Sequence, residues 1–110
     1  MNIKQQLKEL HVINLLIAAL YETIERDRRE SAYYQDDSYL YEEIKELEER
    51  KQATLTLISE LDDERQKAVL IERYLNGSKW EEVATAVNYS RNTVFRIHRQ
   101  ALKQLEGEHG

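Results

Sequence analysis

Apolar residues near the N-terminus recur at alternating steps of four and three. Ile3, Leu7, Leu10, Asn14, Ile17, Tyr21 and Ile24 form a heptad-like seam, with Asn14 at an a-like position. The spacing predicts one helix over about 3–30. Ile13, Leu16 and Leu20 widen the stripe beyond a two-stranded seam, which favours a bundle or an antiparallel hairpin over an isolated coiled coil. Asn14 then has two readings. It sets register in a self-associating seam, or it lies at the surface of a face centred on Ile13, Leu16 and Leu20.

The stretch RDRRESAYYQDDSYLY breaks the pattern, and Asp36, Asp37 and Ser38 are turn and N-cap types. A second helix follows over about 39–60, with Leu40, Ile44, Leu47, Leu55, Ile58 and Leu61 as its stripe. Lys51 falls where a seam residue is due, so packing there is expected to be imperfect. Helices 1 and 2 are expected to fold back on each other, with Tyr33, Tyr34, Tyr39 and Tyr41 packing around the turn. Stacking of these tyrosines on single-stranded bases is disfavoured by their acidic surroundings.

Asp62 or Asp63 can cap a third helix over about 64–75, whose apolar positions are Ala68, Val69, Ile71, Tyr74 and Leu75. Asn76-Gly77 ends it, with Gly77 in the left-handed cap conformation. Ser78-x-x-Glu81 reads as a capping box for a fourth helix with Trp80, Val83, Ala84 and Val87 on one face. Asn88-Tyr89 turns the chain. Ser90 caps a fifth helix whose inner face is Val94, Ile97, Ala101, Leu102 and Leu105. The expected fold is therefore all-α: a long, coiled-coil-like N-terminal hairpin over 1–60, then a three-helix domain over 61–110.

Composition agrees with helix throughout. Pro is absent, and Gly occurs three times in 110 residues. Without Cys, no disulfide or thiolate site is possible. The longest apolar run, Leu15 to Leu20, is far too short to span a bilayer and lacks the flanks of a secretory signal. A soluble, cytoplasmic protein with no membrane partner is expected. Catalysis has little support. His11, His98 and His109 are scattered, no metal-ligand spacing occurs, and no glycine-rich phosphate loop is present. Neither enzyme activity, a cofactor nor a metal is expected. Glu42, Glu43, Glu46, Glu48 and Glu49 read as a solvated face.

Charge changes the picture more. The chain carries a net charge of -5, yet 83–105 holds no Asp or Glu, while Arg91, Arg96, Arg99 and Lys103 all fall there. A local basic surface is how an acidic protein can still bind a polyanion. Helices 4 and 5 are short, adjacent and separated by a tight turn, as in a helix-turn-helix. Ala84 gives the small residue a close crossing needs, Asn88 tolerates the positive φ of the turn, and Val94 anchors the second helix. With Val94, Ile97 and Ala101 inward, Arg91, Asn92, Phe95 and Arg96 point outward as candidates for base edges. Arg91 and Arg96 suit guanine, Asn92 suits adenine, and Phe95 suits a thymine methyl. Phe95 reads equally well as a packing residue, and Trp80 as core. Lys79, Ser90, Thr93, Arg99 and Lys103 are the phosphate candidates.

The passage SELDDERQKAVLIERYLNGSKWEEVATAVNYSRNTVFRIHRQALKQLE resembles region 4 of bacterial sigma-70-type factors. Its markers are Leu61, ERYLNGSKWEEVA, YSRNTV and the closing ALKQL, over about 59–106. The resemblance implies a reader of double-stranded DNA, with Arg91, Asn92, Phe95 and Arg96 at the base-reading positions. Asn92 and Phe95 depart from the family's usual residue types there, which frees the implied target from the usual −35 hexamer. No counterpart of the region that melts promoter DNA is present, so the chain is no whole sigma factor. The helical arm ahead of such a head resembles small phage and prophage regulators of the RinA and ArpU type. That likeness implies a transcriptional activator of phage or mobile-element genes, with RNA polymerase, or a second copy bound through the N-terminal helices, as a further partner. The competing reading is a protein-interaction module that binds polymerase or an anti-sigma-type partner, with little affinity for DNA.

Overall fold

The computed structural model describes residues 2–30 and 36–109, the last two by backbone alone. Tyr33 and Tyr34, assigned above to the interhelical turn, lie outside the described residues, as does the His109 side chain. The described chain is helical: α1 Ile3–Glu30, α2 Ser38–Ser59, α3 Glu64–Leu70 continued by a π-helical segment Ile71–Leu75, α4 Trp80–Val87 and α5 Arg91–His109. None of these helices is long and apolar enough to cross a membrane.

α1 and α2 form the expected antiparallel hairpin. Ile13, Ile17 and Ile24 pack with Leu40, Ile44 and Leu47, and Leu20 covers their flank. The edge is pinned by ion pairing of Arg50 with Glu9 at 3.4 Å and by a 2.7 Å hydrogen bond from Arg28 to the Tyr41 hydroxyl. The face differs from the heptad reading. Ile13 is buried where Asn14 was placed in the seam, and Tyr21 is 47% exposed. Heptad counting runs at 3.5 residues per turn, but a straight helix advances at 3.6, so the buried line drifts off the counted positions. On α2 the Lys51 gap is followed by buried Thr54, whose hydroxyl is turned back to the Arg50 carbonyl, and the core resumes at Leu57 and Ile58. Leu55 lies only at its margin.

The hairpin does not stand apart from the rest. Ile3, Leu7 and Leu10 of α1 join Leu57, Ile58, Leu61, Leu70, Ala101 and Leu105 in one cluster. A second cluster, Val69, Val83, Ala84, Val94 and Ile97, holds α3, α4 and α5 together, while Ala68 is exposed. The far half of the hairpin projects as an arm. The radius of gyration is 17.2 Å over extents of 55 × 30 × 18 Å, against roughly 13 Å for a compact chain of this size.

Helix ends follow from local chemistry. Asp63 caps α3 by accepting from the Arg65 amide at 2.8 Å. The Arg65 guanidinium on the same carboxylate holds Asp63 below its ordinary range. In the π-helical segment the Asn76 amide reaches the Ile71 carbonyl at 3.0 Å. Gly77 then takes φ +70°. Only the carboxylate half of the expected capping box forms, and one residue later than its sequence signature. Lys79 is the N-cap of α4, and its amide donates to Glu82 at 2.7 Å. The Ser78 hydroxyl instead points back to Glu72 at 3.4 Å. The wider π turn delivers Ser78 to α3 rather than to α4.

Candidate nucleic-acid interface

α4 and α5 meet through a turn that residue chemistry dictates. Asn88 has φ 61°, a conformation Asn tolerates better than other side chains. The Tyr89 amide then closes onto the Ala84 carbonyl at 3.1 Å. Ser90 caps α5, its hydroxyl accepting from the Thr93 amide at 3.2 Å. That hydroxyl also donates to Thr93 Oγ1 at 2.9 Å. The phosphate candidates Ser90 and Thr93 are thus joined in the cap itself. An approaching phosphate would meet them at a helix N-terminus, where the amide dipoles favour an anion.

α5 divides cleanly. Val94, Ile97, Ala101 and Leu105 are buried. Asn92, Arg96, Arg99 and Lys103 are exposed along the opposite face. They form one basic ridge, with no acidic residue anywhere between Val83 and Leu105. Arg91, also exposed, lies 3.6 Å from Glu81 of α4 and 5.9 Å from the Phe95 ring centroid. An ion pair this exposed is worth little, so Arg91 is held in place without being withdrawn from the surface. Lys79 is exposed at the start of α4.

Phe95 belongs to both of its readings. It is half-buried and meets Trp80 edge-on at 5.2 Å. Trp80 in turn packs against His98 at 4.8 Å and lies under the Arg73 guanidinium at 4.5 Å. Tyr74 stacks on His98 and its hydroxyl is 2.6 Å from His98 Nε2. With the imidazole proton on Nδ1 the hydroxyl donates, and with it on Nε2 the hydroxyl oxygen accepts. Burial, then the nearby Arg73, Arg99 and Lys4 charges, holds His98 below its ordinary range. Burial also pushes the Tyr74 hydroxyl up. This Arg73–Tyr74–Trp80–Phe95–His98 cluster sets the angle of α5 against the π-helical segment and α4. Sequence spacing did not single it out, because its members lie far apart in the chain.

Two further side chains escaped the sequence reading. Arg65, exposed, hydrogen-bonds to Asp63 and adds positive charge near Tyr89 of the turn. His11 of α1 lies over Gly77, with Nδ1 3.3 Å from the Leu75 carbonyl oxygen. The arm therefore touches the loop that leads into α4. Among the described residues no group of three or more His, Asp or Glu is arranged to hold a metal.

The buried and exposed faces of α4 and α5, with a left-handed Asn between them, have the form of a helix-turn-helix that presents α5 outward. Searches of curated proteins and of solved structures returned no significant match. A family model described as Sigma-70, region 4 matches residues 57–106. The C-terminal part of this chain is a sigma-70 region 4-like helix-turn-helix domain, of a kind that binds DNA.

Proposed function

We propose that the chain is a sequence-specific double-stranded DNA-binding transcriptional regulator with α5 as its reading helix. The observation that carries this is the acid-free stretch of α5 from Arg91 to Leu105, whose outer face exposes Asn92, Arg96, Arg99 and Lys103 on a helix fixed from behind. In a helix-turn-helix the N-terminal residues of the second helix enter the major groove. Arg91, Asn92 and Arg96 then meet base edges, with Phe95 beside them. Arg99 and Lys103, further along, and Lys79, Ser90 and Thr93 around the two helix starts, hold phosphates. The helical arm ahead of the head supports an activator of phage or mobile-element genes that works in the cytoplasm. RNA polymerase is a fitting second partner.

The test is affinity for a duplex site selected by the wild type. Arg96→Ala is expected to weaken binding by about 1–3 kcal/mol and to relax preference at one base position. Unchanged affinity and preference would remove Arg96 from the reading face.

One observation favours a second reading. Glu42, Glu43, Glu46 and Glu49 are exposed together on α2, a surface that repels DNA and suits a basic protein partner such as a polymerase or anti-sigma-type surface. The salt dependence of duplex binding separates the two. A log–log slope near −0.9 per neutralised phosphate supports the DNA reader. Absence of binding at low salt supports the interaction module.

A further inference from the structure

We propose that α1 carries a homodimerisation face on the side turned away from its own core, and that two copies meet there antiparallel. Val12 and Leu15 are each 55% exposed and Leu16 is 45% exposed. Ala19 is exposed beside them. Steps of three, one and three put these four residues on one line of the helix, opposite Leu10, Ile17 and Ile24. Single exposed apolar side chains are ordinary, but a continuous stripe on a projecting arm marks an interaction surface. The exposed face of α2 offers no such stripe, since Glu42, Glu43, Glu46, Glu48 and Glu49 crowd it.

Charge chooses the occupant. Lys8 and Glu22 border the stripe on the same edge, both exposed. Their distances from its midpoint between Leu15 and Leu16 differ by one residue, about 1.5 Å along the axis. Their separation is roughly 21 Å along the axis, so they do not pair within one helix. A two-fold axis through that midpoint, with the helices antiparallel, sets Leu15 against the partner's Leu16 and Val12 against the partner's Ala19. It brings Lys8 to within one residue's rise, about 1.5 Å along the axis, of the level of the partner's Glu22, twice over. Gln5 meets the partner's Arg26 without repulsion. Lys4 and Glu9 are already drawn aside, Lys4 to Glu106 at 3.9 Å and Glu9 to Arg50 at 3.4 Å. A parallel pair would instead set Lys8 level with the partner's Lys8 and Glu22 level with the partner's Glu22, with no opposite charge at either height. The pairing of two hairpins through α1 builds a four-helix assembly.

The arrangement has a consequence that rests on the DNA-binding reading. The head packs on α1 around Leu7. An axis at the stripe midpoint therefore sets the two heads roughly 25 Å apart along α1, before their own width is added. That is of the order of the ~34 Å between half-sites one DNA turn apart.

Sedimentation without DNA tests the face independently of that reading. The wild type is expected to pass from monomer to dimer as concentration rises from micromolar to millimolar, and Leu15→Glu to remain monomeric with unchanged circular dichroism. Lys8→Glu and Glu22→Lys are each expected to weaken the dimer at least tenfold. An equimolar mixture of those two variants is expected to recover it, because each then meets an opposite charge across the axis. This mixture keeps the proposal testable if Leu15→Glu fails to fold. A wild type that stays monomeric throughout would overturn the proposal. So would a Leu15→Glu dimer, or a mixture no tighter than either variant alone.

Discussion

Gly77→Ala separates two costs that meet at one atom. The first is conformational. Gly77 sits at φ +70°, and an L side chain in that region costs roughly 1–2 kcal/mol. The second is spatial. A Cβ at Gly77 would lie 2.6 Å from His11 Nδ1 and closer still to two other ring atoms. The ring must therefore swing away, giving up its contact with the Leu75 carbonyl. A typical hydrogen bond is worth ~0.5–1.5 kcal/mol. The sum is about 2–3 kcal/mol, or a fall in Tm on the order of 10 °C for a chain of this size. Urea unfolding followed by fluorescence of Trp80, the single tryptophan, measures it. A double-mutant cycle then divides it. His11→Ala is expected to cost about 1 kcal/mol, and Gly77→Ala in that background only the conformational part. The double variant should thus be more stable than the sum of the singles by about 1 kcal/mol. Additivity within ~0.3 kcal/mol would refute the reasoning, because His11 would then not occupy the space beside Gly77.

Three other substitutions probe the head. Asn88→Gly is expected to be neutral or slightly stabilising and Asn88→Val to cost about 1–2 kcal/mol, since only Asn88 among non-glycine described residues has positive φ; equal urea midpoints for the two would contradict the turn. The His98 imidazole is held below its ordinary range by burial and nearby cations. The folded protein therefore resists a proton that the unfolded chain takes up near pH ~6.5. Stability is complete above that pH and falls as pH drops toward the folded value. Urea midpoints at pH 8 and pH 5.5 should differ more for the wild type than for His98→Gln, and equal differences would exclude His98 as the source. Arg99→Ala with Lys103→Ala is expected to weaken duplex binding almost uniformly across sequences and to make the salt slope shallower by about 2; a change in sequence preference instead would move these residues to the base-reading group.

What the sequence shows and what it hides divide along the range of the interactions. The Asp63 cap, the Ser90 cap, the left-handed Asn88 and the left-handed Gly77 are all properties of a few neighbouring residues, so each was visible from type and spacing. The same holds for the two faces of α5, since burial of Val94, Ile97 and Ala101 leaves Arg96 and Arg99 no other side. The π-helical segment was not visible. Its Tyr74 and Leu75 pack against the cluster that joins α1 and α5, and beyond it the N-cap of α4 falls at Lys79 rather than Ser78. The two readings of Asn14 stayed open for a related reason, and the structure buries Ile13 but leaves Leu16 exposed. α1 packs on the head through Leu7 and Leu10 and on α2 through Ile13 and Ile17, and one heptad count cannot follow two partners. His11 over Gly77 and His98 under Tyr74 and Trp80 join distant segments, which no local pattern encodes.

The central claim is that α5 reads DNA. Selection of duplexes from a random library tests it most directly, using the full chain in parallel with an Arg91→Ala, Arg96→Ala double variant. The account predicts that the wild type enriches a defined motif and that the variant loses it while keeping its helical content. A wild type that enriches nothing at low salt, or a variant that enriches the same motif, would contradict it.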